Sequence, residues 1–517
     1  MKTAPALLLF VGILPAARTA AQTPSPPPPS TPERVFQDEL DLQANANFVQ
    51  GSGARAFGMG GAFLARADDA TAASWNPAGL SYLSSPELSF VYVDTDFEGR
   101  QSSQGFDIIR PSNQTLRFDY ARERRDDRSG GFPDFMAFTW PWEAGDMSGA
   151  VQASFQRVIG FTSSRTITDV FTGRTTNAET GGTSPRGTTT IQPVSSTGGF
   201  DIFALGAGGR VSRKVRLGMT LNFWFHGYEQ TVRKPDQTLP SRQQSEFDIS
   251  GSNAHIGAIV SPWDSLNLGI VVKTGFTATA KLKRVRYDTF PDRTLFNVYS
   301  REDLRLRLPE ALGLGASWRP RSNLTLSMDY TLTNWSGSSI RQFFALPRAN
   351  AVNLDGTPRP VDQPRPTPLE TGDFCGDDPD ELPRFKDQCP EKLPYPTLDA
   401  QGEQSDTEQI RAGIEYVILK SRFKWPVRAG YFRDGQFFRS LDGAAPKFHG
   451  FTLGTGLLLG NVLLDVAYVY ESGSYTDANL ELEEVEGQIV HFQAPAENHV
   501  KSHKIYASVI YRLPRRR

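Results

Sequence analysis

The residues of this 517-residue chain best suited to chemistry are six histidines (His226, His255, His449, His491, His499, His503), two cysteines and an adjacent acid pair, Asp68 and Asp69. Hydrolysis through a covalent intermediate needs a nucleophile beside a positioned base. None of the six histidines lies in a recognisable nucleophile motif, so no catalytic residue is assigned and an enzyme is not expected. Cys375 and Cys389, in "FCGDDPDELPRFKDQC", have no histidine or third cysteine near them. That spacing suits a disulfide stapling a short polar loop in an exported chain better than a metal site. No metal or cofactor is implied. "GSGARAFG" has the glycines of a phosphate loop, yet no strand precedes it and no βαβ unit follows. The formal net charge of −2 supplies no basic field for nucleic acid.

The elements that would position any site begin with an address. Residues 1–21, "MKTAPALLLFVGILPAARTAA", combine Lys2, a short apolar run and a small-residue cleavage site, the pattern of a secretory signal peptide. No stretch approaches about 18 consecutive apolar residues, so no transmembrane helix is expected. Residues 22–50 form a proline-rich extension that starts "TPSPPPPSTPER". From residue 86 to 517 the chain alternates with period two. In "KVRLGMTLNFWFHG", Leu217, Met219, Leu221 and Phe223 share one face, opposite Arg216, Thr220, Asn222 and His226. "NLTLSMDYTL", "QIRAGIEYVI" and "NVLLDVAYVY" repeat the device, with Asp329, Arg411, Glu415 and Asp465 on the polar faces, as does Arg512 near the end.

About fourteen such segments are expected, beginning near residues 86, 132, 148, 198, 214, 247, 265, 307, 323, 408, 425, 447, 461 and 502. Long polar connections alternate with short ones such as "SRK", "SPWD" and "PRS". That alternation is the signature of a transmembrane antiparallel β-barrel with tight periplasmic turns and larger outer loops. A soluble sandwich has no reason to sort its loops by parity. The fold class is therefore all-β, with residues 337–407 as a large outer loop carrying the cysteine pair, in the outer membrane of a Gram-negative cell. Outer-membrane lipids are its surroundings, and a monomer is expected.

A barrel of this size has a lumen wider than its wall side chains can fill. Residues 51–85 come before the first strand and have the bulk and the glycines of a plug. Within them, "GARAFGMGGAFLARADDATAASWNPAGL" resembles the N-terminal hatch of the FadL-type outer-membrane transporters of long-chain fatty acids and other hydrophobic compounds. The likeness rests on "GMGGAF", on Asp68-Asp69 and on "NPAGL" at Asn76, Pro77, Ala78, Gly79 and Leu80. It implies a fourteen-stranded barrel, passive uptake of a hydrophobic ligand, and a lateral exit through a distorted third strand, here near residues 149–160. The sequence shows no decisive bulge there. Related hatch-bearing barrels assist protein secretion, which leaves a secretion accessory or surface-docking role, with a periplasmic partner, as the alternative.

Candidate gating residues are thus Asn76, Pro77, Ala78, Gly79, Asp68 and Asp69. Asp68 is also placed to cap a short helix, "DATAASW", which Pro77 would end by forcing Asn76 out of helical geometry. Phe57, Phe63 and Trp75 are candidates for an apolar ligand path, with packing of the plug as the plainer role. Arg216, His226 and Arg411 would face the lumen, where they could meet a carboxylate or simply solvate the bore.

Overall fold

The computed structural model describes residues 51–109, 116–177, 183–234, 240–289, 294–346, 405–419, 424–485 and 488–514. Among these residues nineteen strand segments form a single antiparallel sheet, and where two segments follow each other across a short break they make one stave. The result is a closed barrel of fourteen strands. They are β1 (Glu87–Ile109), β2 (Leu116–Ala144), β3 (Met147–Gly160 and Ser163–Asn177), β4 (Thr183–Arg210) and β5 (Val215–Phe225 and Gly227–Lys234). Next come β6 (Ser241–Trp263), β7 (Leu266–Lys273 and Phe276–Thr289), β8 (Thr294–Leu308 and Ala311–Arg321) and β9 (Leu324–Thr333 and Ser339–Leu346). The circuit ends with β10 (Thr407–Leu419), β11 (Lys424–Gly435), β12 (Lys447–Leu459), β13 (Val462–Val485) and β14 (Gln488–Arg512). Pairing of Glu87 with Arg512 and onward to Ser103 with Ala496 closes β1 on β14, so no edge is left unpaired there. Among the described residues no helix is long and apolar enough to cross a membrane.

One end of the barrel is made of tight turns. β2 turns into β3 at Gly145, whose φ of 60° admits the reversal, and β12 into β13 at Gly460, φ 58°. Over the adjoining turns the strands are inside out relative to a soluble protein. Leu217, Met219, Leu221 and Phe223 are exposed, while Thr220, Asn222, Asp329, Arg411, Glu415 and Asp465 are buried. Such a wall is stable only against hydrocarbon, with its polar groups satisfied inside. Trp140, Trp263, Trp318 and Trp425 are all exposed near the tight-turn end, where an aromatic girdle belongs.

Toward the other end the strands are longer than alternation predicts, and the polarity reverses. The expected start of the second strand near residue 132 falls inside β2, which begins at Leu116; the stretch read as a loop is continuous ladder paired with β1. β4, β6, β8 and β14 likewise begin before residues 198, 247, 307 and 502. In these extensions Phe200, Phe247, Ile249, Ala280, Leu282 and Leu306 are buried, and Glu246, Lys281 and Lys283 face out. A strand leaving the bilayer has water outside, so its apolar residues move to the inner face. The predicted loop 337–407 is part strand too, at Ser339–Leu346. Cys375 and Cys389 lie outside the described residues.

Candidate functional site

Residues 51–83 occupy the bore. Two one-turn helices, α1 (Ala54–Phe57) and α2 (Ala72–Trp75), and a 3-10 helix (Pro77–Tyr82) are linked by turns. The glycines make the tight turns: Gly53, Gly60 and Gly61 have φ of 112°, 69° and 76°. The wall meets them closely where it omits side chains. A Cβ on Gly257 would fall 2.0 Å from Asn76 Oδ1, and one on Gly430 would fall 2.1 Å from Gly60 N.

Polar groups of the wall satisfy the backbone of this irregular segment, as buried N–H and C=O groups require. Asp329 Oδ2 accepts from Phe63 N at 2.6 Å and Leu64 N at 2.8 Å. Thr452 Oγ1 accepts from Gly60 N at 2.9 Å and donates to Gly58 O at 3.1 Å. Gln152 Nε2 donates to Ala70 O at 2.7 Å, and Lys273 Nζ to Ser74 O at 3.3 Å. Arg411 donates through Nη1 to Gly60 O at 3.0 Å and through Nη2 to both oxygens of Asp434 at 2.8 and 2.7 Å.

A second tie is ionic. Arg55 Nη1 lies 2.7 Å from Asp68 Oδ1 and 3.4 Å from Asp69 Oδ2, and Arg55 Nε 3.5 Å from Glu415 Oε2. Arg66 bonds Glu415 Oε1. Glu415 Oε2 also accepts from Arg428 Nε at 2.7 Å, and Arg428 Nη1 reaches Asp465 Oδ1 at 2.6 Å. The two sides of the network come from the segment and from β10, β11 and β13. Neither Arg55 nor Arg66 carries a sequence signature beyond its place in "GARAFGMGGAFLARADD"; only the wall's matching Glu415 reveals the pair.

Each predicted residue has a definite place. Asp68 caps no helix: α2 starts at Ala72 after Thr71, which makes no side-chain cap. Asp68 pairs with Arg55 instead, while Asp69 Oδ1 accepts from Thr71 N at 2.9 Å and Thr71 Oγ1 at 2.6 Å. Asn76 is extended (φ −143°, ψ 108°), as the following proline demands. Its Oδ1 accepts from Ala78 N at 3.1 Å, and its Nδ2 donates to Leu64 O at 2.9 Å and toward Ala258 O and Ile270 O at 3.2 and 3.3 Å. One side chain therefore joins its own turn, the rest of the segment and two wall strands. Pro77, Ala78 and Gly79 are buried in the 3-10 helix it opens.

Trp75 stands between Phe57 (ring centroids 5.7 Å apart) and Phe63 (6.1 Å), with its Nε1 donating to Ser52 O at 2.7 Å. Phe63 is fully buried and lies under Arg55, 5.6 Å away, so it packs within residues 51–83. Phe57 reaches the wall, stacked on Tyr506 at 4.2 Å. Arg216 lies over the Tyr82 ring at 4.1 Å. His226 is not on the lumenal face: it sits at the break in β5, where its positive φ of 70° leaves its side chain 62% exposed. Arg512 is at the tight-turn rim, 3.0 Å from Glu87.

The third strand carries the irregularity that alternation did not reveal. Ladder pairing of β2 with β3 stops at Phe135 and Gln156 and resumes at Ser129 and Ser164. In between, β3 breaks at Phe161 and Thr162, while β3 and β4 stay paired through a bulge between Arg157 and Ile159. At this interrupted seam lies a cavity of about 90 Å³, bordered by Phe57, Val93, Phe97, Phe132, Ile159 and Tyr506 among others. Asp134, which bonds Ser52 Oγ, and Lys504 add charge to its lining. Phe161, at the break in β3, forms an aromatic cluster with Phe200, Tyr228 and Phe247, centroids 4.6 to 5.7 Å apart.

No protein-family model and no curated protein matches the chain. Solved structures do. A FadL homologue of Pseudomonas aeruginosa aligns over 90% of this chain and 99% of its own, with 12% identity and a TM-score of 0.51. The toluene transporter TbuX of Ralstonia pickettii aligns over 90% and 99%, with 12% identity and a TM-score of 0.47. The toluene transporter TodX of Pseudomonas putida aligns over 90% and 98%, with 10% identity and a TM-score of 0.45. The chain has the fold of the FadL homologue.

Proposed function

We propose that this protein is an outer-membrane channel through which hydrophobic small molecules, such as long-chain fatty acids or aromatic and aliphatic hydrocarbons, pass inward by passive diffusion. Residues 51–83 act as its hatch, and the solute leaves sideways through the seam between β2 and β3. The observation that carries this reading is the cavity at that seam. It joins the hatch residue Phe57 to a place where the backbone ladder is missing and only side chains close the wall. Phe161, in the break of β3 beside it, belongs to a cluster of buried aromatics in the strand extensions. An apolar solute gains about 25 cal/mol per Å² it removes from water, so a run of such surface draws it from the polar outer layer without an energy source. No catalytic step is needed. Asn76 would fix the hatch to its wall, and the Arg55–Glu415 network would hold it under load.

The test is uptake of a labelled fatty acid or aromatic hydrocarbon by cells with and without the gene. Faster uptake with the gene supports the channel. Equal uptake, with a protein partner that co-purifies at the outer extensions or the tight turns, would replace it with a secretion or adhesion role.

A further inference from the structure

One aromatic side chain fills the middle of the interrupted seam. Phe132 of β2 lies against Gly160 of β3, where a Cβ would fall 2.0 Å from its ring. Gly130 makes a second close approach, its Cβ position being 2.1 Å from Thr162 O. The Arg157 guanidinium carbon stands 5.7 Å from the centre of the Phe132 ring. Arg157 is itself held: its Nε donates to Asp201 Oδ1 at 2.8 Å and its Nη2 to Asp201 Oδ2 at 2.9 Å. Asp201, on β4, is 1% exposed and has His226 Nδ1 2.9 Å from its Oδ2. His226 is the one non-glycine residue with positive φ among the described residues, and that backbone brings its ring to Asp201.

We propose that His226, Asp201, Arg157 and Phe132 form a latch that keeps the lateral opening shut and sets the width of the solute that leaves by it. The proposal rests on the seam being the exit. A bidentate carboxylate fixes both the position and the plane of a guanidinium, which a lysine cannot reproduce. The fixed cation then attracts the face of Phe132. On either side of the seam the ladder runs past this level: β2 stays paired with β1 from Thr139 to Leu116, and β3 with β4 as far as Gly160 and Gly199. Between Gly130 and Asp134 no ladder partner on β3 resists, so swinging one ring aside changes the opening without unzipping a strand. Gly160 provides the seat for the ring, and the latch releases when the ring leaves it. A narrow solute slips past a small displacement of Phe132, whereas a wide one must displace the ring fully and so depends on the latch population.

The test compares naphthalene with the wider pyrene, two neutral aromatic hydrocarbons followed by their fluorescence in intact Gram-negative cells producing the full chain. Three variants are used, each first shown to migrate as a heat-modifiable barrel: Phe132→Ala, Asp201→Asn and Arg157→Lys. Loss of the ring or of its cation anchor is expected to speed pyrene entry about three- to tenfold and naphthalene entry less than about twofold. Arg157→Lys, which keeps the charge and loses the fork, should move in the same direction as Asp201→Asn. An unchanged pyrene-to-naphthalene ratio in folded variants, with the unaltered protein taking up both probes, overturns the latch and leaves the channel standing. If the unaltered protein takes up neither probe faster than cells without the gene, the transport reading itself fails, and the latch with it.

Discussion

Replacing Glu415 by alanine should loosen residues 51–83 while leaving the barrel closed. Glu415 is buried on β10 and holds three guanidinium groups: Arg66, Arg428 at 2.7 Å and Arg55 at 3.5 Å. Two of these belong to the bore segment, so the carboxylate is the main ionic link between segment and wall. Removing one member of a buried pair leaves its partners charged and unsolvated, which costs about 3–5 kcal/mol. The ladders of β10 with β9 and β11 involve backbone groups alone and are untouched. The cost therefore falls on seating the segment. Purified protein should still show heat-modifiable migration, but denaturant should expose the bore tryptophan, Trp75, well before the barrel unfolds. In planar bilayers the variant should pass ions through a bore that is otherwise filled. Arg66→Ala added to Glu415→Ala should recover part of the loss, since neighbouring sites in one ionic network couple by about 0.5–3 kcal/mol. A folded Glu415→Ala protein with unaltered denaturation and no added conductance would refute this, and would mean that water reaches these ions.

Asn76→Ala removes bonds to Ala78 N, Leu64 O and the wall, leaving buried groups unpaired at about 1–3 kcal/mol each; uptake of a hydrophobic substrate should fall while the barrel still assembles, and unchanged uptake would speak for packing alone. Phe63→Asp places a carboxylate beside Trp75 in a fully buried site, so it should loosen the plug more than it weakens a ligand contact, and Phe57→Ala should do the reverse. Ligand binding to the two purified variants, set against their denaturation midpoints, checks that ordering. Cys375 and Cys389 are expected to be oxidised in protein taken from membranes, and two titratable thiols without added reductant would disprove the staple.

Where hydrocarbon imposes its rule on the wall, the fold is legible residue by residue. Leu217, Met219, Leu221 and Phe223 alternate with polar residues because the bilayer and the filled bore demand opposite faces, and the starts of β1, β3, β5, β7 and β9 to β13 follow within a residue or two. The same rule misleads above the bilayer. Phe247 and Ile249 look like the start of an apolar outer face, yet they are buried inside a strand that began at Ser241. The side facing water has changed, and sequence alone does not say where the membrane ends. His226 shows a related limit, since a single break in β5 moves it from the lumenal face to the outside.

The alternation, the parity of the turns and the motif around Asn76 are local, because they depend on neighbours two to four residues away and on a proline's covalent constraint. Which wall residue each bore residue meets is set by the folded barrel. Arg66 with Glu415 and Phe63 with Asp329 are separated by 349 and 266 residues, and no local pattern encodes such partners. The seam was likewise beyond the sequence. It arises where β2 and β3 fall out of register with each other, and register is a property of two strands brought together by closure of the whole barrel.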